Sequence, residues 1–141
     1  MDSPEDVPRL RQTVLDTTDV RALAEFYRLL LGYTYRHGDE APGSGEPDTA
    51  EWLVLRAPEG SPPLAFQKVD TLPRSSWPDN EPVPQQLHLD MTVLSKKALD
   101  EQHRRVLRLG GRMLLDRSDD DEEPLRVYAD PAGHPFCIFV G

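Results

Sequence analysis

The chain has 141 residues, one cysteine and a formal net charge of −9. That length suits one domain, or two small modules sharing a core. The lone Cys137 excludes an intrachain disulfide and points to a reducing, cytoplasmic setting. The acidic balance argues against a nucleic-acid partner, which needs clustered Lys and Arg, and no apolar run is long enough to span a membrane.

Residues 1–9 are polar and acidic, so they read as a disordered tail rather than a signal peptide or anchor. Lysine is confined to Lys68, Lys96 and Lys97 while Arg and Pro abound, a bias that suits a GC-rich bacterial genome. Residues 11–16 (RQTVLD) form a first strand. Thr17, Thr18 and Asp19 then offer caps for a helix over 20–31, whose apolar residues fall three and four apart. Gly32 ends it, and residues 33–37 resume a strand pattern.

Residues 38–49 (GDEAPGSGEPDT) hold too much Gly, Pro and acid for a regular element and read as a mobile loop. Strands follow over 51–57 and 64–69, separated by a type I turn at Ala57-Pro58-Glu59-Gly60. A Pro-rich linker over 71–85 leads into QQLHLDMTV, residues 85–93, where Leu87, Leu89, Met91 and Val93 alternate with His88, Asp90 and Thr92. That period of two puts an apolar set on one face, free to cover a helix, and a histidine, carboxylate and hydroxyl on the other. Ser95 caps a second helix running to Leu109, and Gly110-Gly111 ends it. A strand over 112–116, a charged loop over 118–123, a strand over 125–129, the turn Asp130-Pro131-Ala132-Gly133 and a strand over 135–140 complete the chain.

The second half thus repeats the first: strand, helix, then three strands. Ala22-Leu23 aligns with Ala98-Leu99, Gly32 with Gly110, and Pro58-x-Gly60 with Pro131-x-Gly133. A repeat of half the chain implies a pseudo-symmetric pair of modules, residues 10–70 and 86–141, within one domain over 10–141. The competing ferredoxin-like fold does not place three strands after each helix. The fold class is therefore α+β, with paired βαβββ modules curling a mixed sheet around one cleft.

With the helix sequence AEFYRLLLGY, the strand QLHLD and the turn ADPAGHPFCI, this repeat resembles the vicinal-oxygen-chelate superfamily of glyoxalase I, bleomycin-resistance proteins and extradiol dioxygenases. The tract WPDNEPVPQQLHLD resembles bacterial glyoxalase-like proteins in particular. The resemblance implies a cleft in which a metal sits on four side chains, one from the first and one from the last strand of each module. Carried over by position, the candidates are Gln12, His88, Cys137 (where metal-binding relatives have Glu) and either Gln67 or Ala65. That set has no carboxylate, which a hard divalent cation wants, so no tightly held cofactor is expected. A divalent metal stays open, with Asp90 and Asp16 as substitutes facing the cleft.

The resemblance and the alternation together nominate His88 and Asp90 as catalytic groups, and Gln12, Gln67, Trp77 and Cys137 as ligand contacts. Each has a plainer alternative. His88 would serve equally as a hydrogen-bonded strand histidine, Cys137 as a small buried hydrophobe, and Trp77 as a pin for the linker. Tyr27 and Phe26 read as helix core, His103 as a solvated helix residue, and residues 119–123 as a solvated loop tip. Two functions follow: a lyase or isomerase acting on a small oxygenated metabolite, or a non-catalytic protein sequestering a drug or metabolite. Both involve a small molecule, a homodimer, no membrane and no nucleic acid.

Overall fold

The computed structural model describes residues 6–79 and 81–141. Part of the expected tail, residues 1–5, lies outside them; residues 6–9 carry only a turn and a bend. The first half forms β1 (Thr13–Thr17), α1 (Val20–Leu31), β2 (Thr34–Tyr35), β3 (Trp52–Arg56) and β4 (Leu64–Lys68). The second half forms β5 (Leu89–Val93), α2 (Lys96–Leu109), β6 (Arg112–Arg117), β7 (Leu125–Ala129) and β8 (Pro135–Val140). Each half makes a four-stranded sheet, ordered β1-β4-β3-β2 and β5-β8-β7-β6. In both, the first strand runs parallel to the last and the other pairs are antiparallel. The chain is α+β, and its halves share one topology.

The helices begin and end where their caps dictate. Asp19 accepts from the Ala22 amide and Ser95 from the Ala98 amide, each satisfying a donor the first turn leaves free. Gly32 and Gly110 take φ of 71° and 107°, the left-handed region that side chains resist, and so close both helices. On α1 the buried stripe includes Leu23, Phe26, Tyr27 and Leu30; on α2 it narrows to Leu99 and Val106. Leu15, Phe66, Phe136 and Ile138 meet these stripes in one core spanning both sheets. Tyr27 and Phe26 are core, as their spacing predicts.

Several boundaries move, each for a physical reason. The strand expected over 85–93 starts only at Leu89, paired with Phe136. His88 would face Pro135, which has no N–H to extend the ladder. The turn in the first half closes one residue late, with Ser61 N–H donating to the Pro58 carbonyl, whereas Gly133 N–H donates to the Asp130 carbonyl as expected. The loop over 38–49 has no regular structure but is tethered. Arg21 Nε donates to Asp48 at 2.7 Å and its Nη1 to the Asp39 carbonyl, while the Asp39 carboxylate accepts from the Val54 amide. His103 is half-buried rather than solvated, with Nδ1 2.9 Å from the Tyr128 hydroxyl. Burial, and then the Arg126 charge, hold its pKa below the usual imidazole value.

The two halves are joined by a buried polar clamp. Tyr27 Oη on α1 donates to Asp130 Oδ2 at 2.6 Å, and Asp130 Oδ1 accepts from the Ala132 and His134 amides. His134 Nε2 then donates back to the Asp16 carbonyl at 2.6 Å. Tyr27 is fully buried and Asp130 nearly so. Burial pushes the Tyr27 hydroxyl well above its usual pKa, so it stays a donor at any ordinary pH. Tyr27→Phe leaves Asp130 Oδ2 without this donor in the core, a loss of about 1–3 kcal/mol by analogy with other buried polar groups. Urea unfolding of the variant is expected to show that loss; unchanged stability would contradict the clamp.

Candidate functional site

Past the end of the β5 ladder, His88 is held by three neighbours. Its ring stacks on Trp77 with centroids 4.7 Å apart and planes 11° from parallel. Nδ1 lies 2.9 Å from Gln85 Oε1, an atom that only accepts, so Nδ1 carries the proton. Nε2 sits 3.2 Å from Asp90 Oδ1, carrying a lone pair when the ring is neutral and donating to that oxygen when it is protonated. Asp90 in turn pairs across the ladder with Cys137 on β8. The donor atoms of His88, Asp90 and Cys137 all lie within 4.8 Å of one another. The side chains of His88 and Asp90 are 31% and 55% exposed, while Cys137 is 7% exposed. The cluster thus has a buried floor and an open mouth.

Burial pushes the Cys137 thiol up to about 11, with the Asp90 carboxylate adding to the effect. Cys137 is consequently a protonated thiol at neutral pH and no activated nucleophile.

The remaining sequence candidates are dispersed. Strand alternation puts Val14 and Asp16 of β1 on the face turned away from α1, and Val14 pairs with Ala65, Asp16 with Gln67. Superposing the halves by their helix starts and ladders matches Gln12 with His88, Val14 with Asp90 and Ala65 with Cys137. The choice between Gln67 and Ala65 thereby falls on Ala65, which has no donor atom. Gln67 lies two residues further along, exposed and opposite Trp52. Gln12 is half-buried just before β1.

Beside the cluster lies a cavity of about 470 Å³ between β1, the linker and the turn before β8. Val14, Leu72, Val83, Leu87 and Pro135 supply much of its apolar wall, and Asp16, Ser75, Gln85, Gln86 and His134 its polar groups. No Lys or Arg is among its described lining residues. His88, Asp90, Gln12, Gln67, Trp77 and Cys137 do not line it, although the sequence reading had gathered them around one cleft. Leu87, expected beneath a helix, is 43% exposed and belongs to the cavity wall. Gln85 is common to both places: it lines the cavity and fixes His88. The sequence reading missed Gln85 and His134 as site residues; the paired amide QQ ahead of the strand was the available signal for the first.

The strand order and paired halves are those of the vicinal-oxygen-chelate fold, and solved structures share it. A glyoxalase/bleomycin resistance protein/dioxygenase family enzyme from Burkholderia phytofirmans PsJN superposes with a TM-score of 0.67 at 16% identity, over 92% of this chain and 96% of that one. The fosfomycin resistance protein FosX from Listeria monocytogenes gives a TM-score of 0.68 at 15% identity, over 96% of this chain and 94% of that one. A variant of that FosX, solved with Mn(II) and a dihydroxypropylphosphonic acid, gives 0.67 at 15% identity, over 96% and 93%. At such identities the likeness is one of fold. No curated protein matches the sequence. The family model described as Glyoxalase-like domain matches residues 12–139, and the chain belongs to that family.

The FosX variant holds Mn(II), and the donors here can be compared with what that ion takes. A hard cation such as Mn²⁺ prefers carboxylate, carbonyl and water oxygens. An imidazole, a carboxylate and a thiol within 4.8 Å do not make that set, but they fit a borderline cation that accepts N, O and S together. In chelator-treated protein, alkylation of Cys137 should be slow at pH 7–8 and accelerate only as pH climbs toward 11. Rapid labelling at neutral pH, followed by intact mass, would contradict the buried, protonated thiol.

Proposed function

We propose that this protein binds a small, neutral or cationic oxygenated molecule in the cavity beside His88, and acts on it there as a lyase or isomerase. The observation that carries the reading is Gln85, whose side chain joins the cavity wall to the His88 ring. A molecule seated against Leu72, Val83 and Leu87 would lie against Gln85, whose Oε1 holds the His88 ring through Nδ1. The ring is preorganised for that contact, because stacking on Trp77 and the Nδ1 hydrogen bond fix both its plane and its tautomer. A proton taken up at Nε2 would be stabilised by Asp90 Oδ1 at 3.2 Å, the arrangement general acid–base catalysis requires.

The ligand's charge follows from the wall. With Asp16 present and no cationic side chain among the described lining residues, an anion would enter without a partner. The phosphonate seen in a FosX neighbour is thus a poor guide to this chain's ligand. A second reading, sequestration without turnover, is supported by the largely apolar wall, which gives affinity without chemistry.

A ligand screen on metal-stripped protein tests the reading through Trp77 fluorescence. Neutral or cationic compounds should bind at least about tenfold tighter than phosphonates of like size, a difference of about 1.4 kcal/mol. Gln85→Ala should weaken binding while leaving the fold intact by circular dichroism. Preference for phosphonates, or binding indifferent to Gln85, would refute the assignment. Product formation with a bound compound separates the enzyme from the sequestering protein.

A further inference from the structure

The cavity wall beside β1 holds two hydrogen-bond acceptors that the protein leaves unused. His134 reaches from the turn before β8 and donates through Nε2 to the Asp16 carbonyl at 2.6 Å. A carbonyl only accepts, so Nε2 carries the proton and the neutral ring keeps its lone pair at Nδ1. Among the described residues, no buried side-chain nitrogen or oxygen lacks a hydrogen-bond partner. Nδ1 has no such partner, so it is open rather than sealed in the core.

Asp16 supplies the second acceptor. It shares with Val14 the face of β1 turned away from α1, and both line the cavity. Its carboxylate makes no ion pair or hydrogen bond with a described residue. The guanidinium of Arg74 in the linker donates to the Pro131 carbonyl instead. A half-buried carboxylate in a largely apolar wall is left wanting a cation with N–H donors.

From this pairing we infer that the cavity takes a primary amine, its ammonium group held by the Asp16 carboxylate and donating to His134 Nδ1. The inference rests on the cavity being the binding site and adds which part of the ligand is recognised. An ammonium has three N–H donors, one for each acceptor and one for water. Asp16 supplies the charge; His134 supplies direction, because its ring is fixed through Nε2. A quaternary ammonium has the charge without a donor, and an alcohol has a donor without the charge. The carbon body would rest on Leu72, Val83 and Leu87. Gln85 Oε1 is taken up by His88, so the Gln85 amide N–H groups remain to meet a ligand oxygen. The corner is particular to one half of the repeat, since Ser61 and Thr92 stand at the matching positions.

Nuclear magnetic resonance titration of chelator-treated full-length protein with trans-4-aminocyclohexanol tests this, following the Asp16 and His134 amides. Two further probes give the comparison: the diol with a hydroxyl in place of the amine, and the N-trimethylated cation. The amine should bind at least about tenfold tighter than either. Asp16→Asn should lower the amine to the affinity of the diol, with an unchanged circular dichroism spectrum. His134→Phe should cancel the lead of the amine over the trimethylated cation while leaving both cations ahead of the diol. Equal binding of amine and diol, or a lead that survives Asp16→Asn, would overturn the inference. Where such indifferent binding still weakens with Gln85→Ala, the cavity reading stands and the amine assignment alone fails. Binding of none of the three probes would also overturn the amine assignment, and the wider ligand screen decides separately on the cavity.

Discussion

The hydrogen bond from Tyr27 to Asp130 is the constraint on which the rest of the molecule depends. It crosses from the helix of one module to the turn of the other, inside the shared core. Asp130 also gathers the Ala132 and His134 amides, so the turn's shape and the clamp depend on one carboxylate. That turn launches β8, and the register of β8 sets Cys137 opposite Asp90. His134 leaves the same turn to reach the Asp16 carbonyl, which places β1 across from the linker and leaves the cavity between them. The first module has Ala57 where the second has Asp130, and its turn closes one residue later. The repeat is a symmetry of topology, while polar chemistry has accumulated in one copy.

That asymmetry explains what was legible in the sequence. Both helices could be read to their ends because Asp19, Ser95, Gly32 and Gly110 act through local hydrogen bonds and local φ. The polar face of the β5 segment could be read from alternation, which brought Asp90 and, one residue ahead of the strand, His88 to notice together. The start of β5 could not, because it is set by Pro135, distant in sequence and on another strand. Nor could the cavity, whose wall is largely linker backbone with no period. Gln85 and Leu87 acquire their positions from proline-constrained chain rather than from a strand. His103 reads as exposed from its helix alone, and only the placement of Tyr128 on β7 buries it.

The ladders also revise the expected ligand set. Four positions, one per terminal strand of each module, gave His88, Cys137 and two amides. The ladders put Ala65 at the fourth position, and a residue outside the expected four, Asp90, brings its carboxylate to His88. The absence of a carboxylate had argued against a cation; its presence beside a thiol changes which cation the donors suit. Because neighbours at 15–16% identity share only the fold, such differences in side chains decide the chemistry. The uncharged-to-acidic cavity wall points the same way, toward ligands unlike the phosphonate of the FosX complex.

On the proposed reading, the cavity and the His88 cluster work as one site joined through Gln85. Nuclear magnetic resonance titration of a bound compound tests it most directly, following backbone amides together with the imidazole nitrogens. Leu87 and Asp16 in the cavity wall should shift in step with His88 and Asp90, and all should report one dissociation constant. Shifts confined to the cavity, with the His88 ring nitrogens unmoved at saturation, would contradict the account.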